Sequence, residues 1–152
     1  MFPNIFEESV SEEVIKRLDL LAPDSVRLWG TMNPAQMFAH CSVAYETIYE
    51  PEKHAPPNFA FKFVARMLFK SRVTGEKPLA RNSPTAPMFK VSPNKDFEIE
   101  KARLIEFIRQ TQKLGEEYFD GKENMSFGVL TSADWSNMMY KHLDHHLNQF
   151  GA

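Results

Sequence analysis

Cysteine is nearly absent: Cys41 stands alone in 152 residues. No intramolecular disulfide can form, and no cysteine-built zinc site can be assembled. A reducing, cytoplasmic setting is the expectation. No apolar run approaches the roughly 20 residues of a membrane span. The opening Met1-Phe2-Pro3-Asn4-Ile5-Phe6-Glu7-Glu8 is acidic where a signal peptide is basic, so no membrane is expected among the partners. Neither sign of charge dominates, since 18 Lys+Arg against 20 Asp+Glu leave a formal charge of -2. The whole-molecule field therefore offers nothing to a polyanion, and nucleic acid is not an expected partner. A Gly-rich phosphate loop, an internal repeat, a low-complexity tail and any useful length of strand-like alternation are also missing.

Helical periodicity is what remains. Residues 11–21 carry Val14, Leu18 and Leu21 at helical spacing behind Ser11, Glu12 and Glu13, with Pro23 to stop them. A second helix opens with Asn33 as cap, Pro34 in the first turn and Gln36 at the capping-box position. Met37, Cys41, Ala44 and Ile48 form its stripe, and Pro51 closes it. Between 51 and 95 lie seven of the ten prolines, which forbid long regular structure except over a short Phe- and Met-rich helix at 59–70. A third long helix is expected at 97–119, with Phe97, Leu104, Ile108 and Thr111 on one face and Ile105 beside them. A last helix begins at Thr131, with Asp134 as its capping-box partner, and ends at Gly151. Residues 1–152 read as one all-α domain: a four-helix bundle in which a long Pro-rich crossover with a short extra helix joins helices 2 and 3.

The run His142-Leu143-Asp144-His145-His146 gathers three of the five histidines. With Trp135 at zero, His142 falls at about -20° and His146 at about +20°, so both project from the centre of the apolar stripe. His145 falls at its margin. Imidazoles at i and i+4 can share one divalent metal. The competing reading is a hydrogen-bonded pair of core histidines, which costs desolvation twice. His40 is the remaining histidine on one of the expected long helices, although it lies about 100° from that helix's stripe centre. Three neutral histidines leave positions open on the ion, as catalytic sites do, and nickel, zinc, manganese and iron all suit them. HExxH is absent, because Leu143 and Asp144 follow His142.

The segment Trp29-Gly30-Thr31-Met32-Asn33-Pro34-Ala35-Gln36-Met37-Phe38-Ala39-His40, taken with the ending from His142 to Phe150, resembles the DinB-like (DinB/YfiT) superfamily, nearest to one of its uncharacterised branches. The resemblance implies an up-down-down-up bundle, often a homodimer, holding a divalent metal through His40, His142 and His146, with Gln149 in the tail behind them. Characterised relatives are thiol-dependent transferases and isomerases using bacillithiol, mycothiol or glutathione, and others are described as metal-dependent hydrolases. A metal-activated thiol or water as nucleophile is thus the leading expectation, with a low-molecular-weight thiol as a second cofactor. A non-catalytic binding or dimerisation bundle is the alternative. Gln149, His145, Tyr45 and Trp29 are candidates for supporting or pocket roles, Trp29 more readily as core, and Cys41 reads as a buried hydrophobe. Lys62, Arg66, Lys70, Arg72, Lys77, Arg81, Lys90 and Lys95 face only Glu76 across residues 58–95. Two readings apply to them: a clamp for an anionic small-molecule substrate, or a basic loop packed over the acidic first helix.

Overall fold

The computed structural model describes residues 2–83 and 85–152. Met1, from the acidic opening, and Pro84, from the Pro-rich connection, lie outside the described residues. The chain is mostly helical, in the order α1 (Glu8–Asp19), α2 (Pro34–Tyr49), α3 (Phe59–Leu68), α4 (Lys70–Thr74), α5 (Phe97–Phe119) and α6 (Ser132–Gln149). Single 3-10 turns at Pro51–Lys53 and Pro87–Phe89 punctuate the connection between α2 and α5. The small antiparallel ladder of β1 (Glu123–Asn124) and β2 (Gly128–Val129) was not foreseen. Two residues per strand are too few to leave a period in sequence.

Capping chemistry sets the boundaries that sequence placed best. Asn33 accepts from the Gln36 amide at 2.8 Å while Gln36 Oε1 accepts from the Asn33 amide at 3.1 Å. Thr131 and Asp134 repeat the exchange at 3.2 Å in both directions. The first helix begins three residues before the expected Ser11 and stops at Asp19, ahead of Pro23. Ser11 is buried inside it, its hydroxyl turned back to the Glu8 carbonyl. Within α5, Gly115 takes φ 69°, which interrupts the helix one turn before Phe119. That left-handed conformation costs a β-carbon residue far more than glycine.

The core is one cluster. Val14, Ile15 and Leu18 of α1, Met37, Phe38 and Tyr45 of α2, Leu104 and Ile108 of α5, and Trp135, Leu143 and Leu147 of α6 meet in it. Each such side chain contributes about 1.5–3 kcal/mol on leaving water. α2 packs on α5, α1 on α5 and α6, and α6 against α2 and α5. The acids of α1 find their cations on α5, through Asp19 with Lys101 at 3.0 Å and Glu12 with Arg109 at 3.9 Å. This overturns the expectation that the basic connection would pack over them. That connection lies instead along α6, where Lys141 donates to the carbonyls of Arg72 at 2.8 Å and Gly75 at 2.6 Å, and Asn137 to that of Thr74 at 2.9 Å.

Candidate metal centre

α6 presents His142 and His146 one turn apart, and α2 brings His40 against both. The ring centroids lie 4.6 Å (His40 to His146), 4.9 Å (His142 to His146) and 5.0 Å (His40 to His142) apart. One nitrogen from each ring falls within 4.8 Å of the other two. His40 and His146 are buried and His142 is half-buried. The off-centre position expected for His40 has no consequence, because eleven of the sixteen residues of α2 are buried and the helix has no solvent face to lose it to.

Hydrogen bonds assign the rings. His40 Nδ1–H donates to the Phe89 carbonyl at 2.9 Å, so its Nε2 carries a lone pair. Gln149 Nε2 donates to the Trp29 carbonyl at 2.7 Å, which fixes the polarity of its amide. Gln149 Oε1 therefore accepts from His146 Nδ1–H at 3.0 Å, and His146 Nε2 is likewise a lone pair. His40 Nε2 and His142 Nε2 stand 3.0 Å apart. At that distance the His40 lone pair either accepts an N–H from His142 or shares a cation with it.

The three rings could hold a divalent ion. Ligand nitrogens at about 2.0–2.1 Å from a common ion stand about 3.0–3.4 Å apart, depending on coordination angle. Each of the two oriented rings also donates its far N–H to a carbonyl oxygen, the arrangement typical of metal-binding histidine. Burial is the main force holding all three imidazoles neutral. It pushes His40 below its ordinary value and His146 down to about 3, His40 adding to the effect on the latter. His142 is driven well below 6.5 by desolvation and then by its two neighbours. Neutral imidazole is the form that ligates.

Other candidates separate clearly. Gln149 is the connector between His146 and the loop at Trp29. Beneath it, Gly30 has φ +78°, and a β-carbon there would sit 2.2 Å from Gln149 Nε2. Trp29 is half-buried rather than core: its ring lies under the Arg81 guanidinium at 4.1 Å and edge-on to His145 at 6.0 Å. These three border a groove of about 390 Å³ together with Leu28, Leu79 and Asn148. His145 lines that groove and also packs edge-on against His146, ring centroids 5.1 Å apart, so it stands between the groove and the three-histidine cluster. Tyr45 takes no part in the centre, being buried in the core with its ring stacked on Phe107 at 5.8 Å. Cys41 is also buried, its thiol toward Met37 Sδ at 3.8 Å and its pKa raised by desolvation.

Sequence reasoning missed the two backbone acceptors. The Phe89 and Trp29 carbonyls carry no side-chain signature, and Phe89 is delivered by the 3-10 turn of the Pro-rich connection, whose return to α2 no local pattern announces. The Phe89 ring also stands beside the cluster, 5.7 Å from His40 and 6.2 Å from His142.

No curated protein and no solved structure matches the chain significantly. A family model does match, over residues 7–152, so that helices, connection and histidines all fall within it, and the chain belongs to the family described as protein of unknown function, DUF1569.

Proposed function

We propose that His40, His142 and His146 hold a divalent metal ion in a bundle of the DinB-like kind formed by α1, α2, α5 and α6, and that the centre is catalytic. One observation carries this reading. Two oriented imidazole lone pairs and a third ring converge where, among the described residues, no carboxylate joins them. When bound, a divalent ion supplies Lewis-acid chemistry that makes a thiol or water nucleophilic near neutral pH.

The chain's own residues do the rest. Phe89 and Gln149 fix the tautomers of His40 and His146, so no proton has to leave either Nε2 before it can ligate. The Phe89 ring and the buried wall of α2 limit water around the three rings. The groove beside the centre places Arg81 and His145 next to Trp29, a cationic and aromatic rim suited to an anionic small molecule. With no HExxH glutamate, proton removal falls to the substrate's own acidity. That favours a thiol, whose ordinary pKa is near 8.5, as first nucleophile and water as second.

The test is elemental analysis of protein that has met no nickel resin, wild type beside His142→Ala and His146→Ala, followed by assays pairing low-molecular-weight thiols with electrophiles. Near-stoichiometric metal, lost in both variants together with thiol transfer, is the expected result. Failure to take up zinc, nickel or manganese would overturn the proposal and leave a proton shared between His40 and His142 as the reason for their contact.

A further inference from the structure

The α3 helix is mounted with its apolar side outward. At about 100° per residue, Phe63, Met67, Val64, Leu68 and Phe61 occupy roughly 160° of its circumference, with Lys62 and Arg66 on the opposite flank. Ala65 alone is buried. Arg66 reaches over Gly128, where its guanidinium would stand 2.9 Å from an added β-carbon, and Lys70 Nζ donates to the Val129 carbonyl at 3.2 Å. Arg66 of α3 and Lys70 of α4 therefore rest on the β1–β2 hairpin, where Glu123 lines the same groove. The apolar arc faces away, leaving Phe63 60%, Met67 68%, Leu68 64% and Val64 46% exposed. Side chains of this size each leave on the order of 100–200 Å² uncovered. Together they reach the upper part of the roughly 300–600 Å² of the largest apolar patch on an ordinary monomer, a size that often marks a functional surface.

Charge and shape decide what covers it. Lys62 and Arg66 flank the arc on one side, and Lys70, Arg72 and Lys77 follow α3 in the chain, against Glu76 as the one acid of residues 58–95. A second copy docked through the same face would set these cations against their own images, whereas an anionic surface attracts them all. An arc of about 160° on one short helix forms a broad apolar ridge. Acyl chains close around such a ridge from every side.

We infer that α3 is an interfacial anchor, lying in the plane of an anionic lipid surface with Phe63, Met67 and Leu68 among the acyl chains and the flanking cations at headgroup level. Among the described residues no helix is long and apolar enough to cross a membrane, and lying in one needs no such length. Because Lys141 and Asn137 tie α4 to α6, an anchored α3 would hold the helix that carries His142 and His146 at a set distance from the surface.

The experiment is flotation of the full chain with vesicles of phosphatidylcholine containing about one third phosphatidylserine, and with vesicles of phosphatidylcholine alone. Wild type is expected to float with the mixed vesicles and to be released as salt approaches about 1 M. Phe63→Ser/Met67→Ser is expected to lower the bound fraction about tenfold or more, and Arg72→Glu/Lys77→Glu to weaken it while keeping the fold by circular dichroism. Wild type that ignores the mixed vesicles, or binds both kinds equally, overturns the inference. So does a non-floating dimer by analytical ultracentrifugation that the Phe63→Ser/Met67→Ser pair dissolves, since a second copy would then be the occupant.

Discussion

Two groups of histidine in this molecule solve the same problem in opposite ways. His54, where the 3-10 turn after α2 ends, donates from Nε2 to a Glu46 carboxylate oxygen at 2.5 Å. Glu46 also pairs with Arg103, which reaches Glu50 at 3.0 Å and, at 3.8 Å, Glu100, itself 3.3 Å from Lys95. Every charge there is answered from within the chain. On the other side of α2, the three-histidine centre gathers rings whose hydrogen-bonding partners, among the described residues, are a backbone carbonyl, a side-chain amide and one another. A cluster that answers its own charges has little need of an ion, and one that aims two lone pairs at a common point is completed by an N–H from the third ring or by a cation. The contrast lies in the partners, since α2 supplies Glu46 to one group and His40 to the other.

Removing a ring from the centre is the hardest blow to that contrast. His142→Ala should lose essentially all bound metal, and with it the stabilisation of about 2.7 kcal/mol that zinc at 100 times its Kd confers on wild type. The metal-free forms of the two proteins should melt within a few degrees of each other. Thermal melts with and without zinc check this, and a metal-free variant that no longer folds would make the centre structural.

Breaking the self-sufficient group should do the reverse. Glu46→Gln leaves Arg103 and His54 short of a buried carboxylate and should cost about 3 kcal/mol in urea denaturation, with metal stoichiometry unchanged. Loss of metal in that variant would show that the two groups are not separate. A smaller effect is expected at Gly30→Ala, where the new methyl group displaces Gln149 and frees the His146 ring to turn. Metal affinity should fall about 10- to 100-fold, as it should in Gln149→Ala, read by competition with a chromogenic chelator.

Acid sharpens the comparison last. The unfolded chain protonates His146 near the ordinary 6.5, the folded chain only near 3. Between those values the unfolded state binds the extra proton, so this group's share of stability is intact above about pH 6.5 and declines as pH falls toward 3, by at most about 1.4 kcal/mol per unit. Metal-free wild type should therefore lose stability between pH 7 and pH 5 faster than His146→Gln does, measured by denaturation at each pH.

How much of this was legible depended on whether a signal was local. The caps at Asn33 and Thr131 and the i, i+4 pair at His142 and His146 are short-range chemistry, and each stands where sequence placed it. The two-residue strands, the Phe89 and Trp29 carbonyls and the Glu46 to Arg103 pairing are long-range meetings with no period to betray them. Lys141 illustrates the limit: a lysine beside the apolar stripe reads as surface, yet it is 2% exposed, spending its ammonium on two carbonyls at the end of α4. Tyr45 was within reach of the centre in sequence but turns toward α5, and Trp29 sits half-buried where core was expected. Rotation about a helix axis separates such neighbours, and hydropathy alone does not resolve it.

The enclosure of α2 has a consequence for variation. A helix with one wet face accumulates substitutions there in a stripe, and a mutational scan shows tolerance every third or fourth position. Enclosed by α5, α6 and the 3-10 turn at Pro87–Phe89, α2 offers no such stripe. From Met37 through Val43 every residue is buried, and a scan should find an unbroken block of intolerance that includes positions touching neither the histidine centre nor Glu46. Invariance along α2 would by itself be a poor guide to chemistry, and substitutions at Gly30 and Gln149, outside that block, would report on the centre more cleanly.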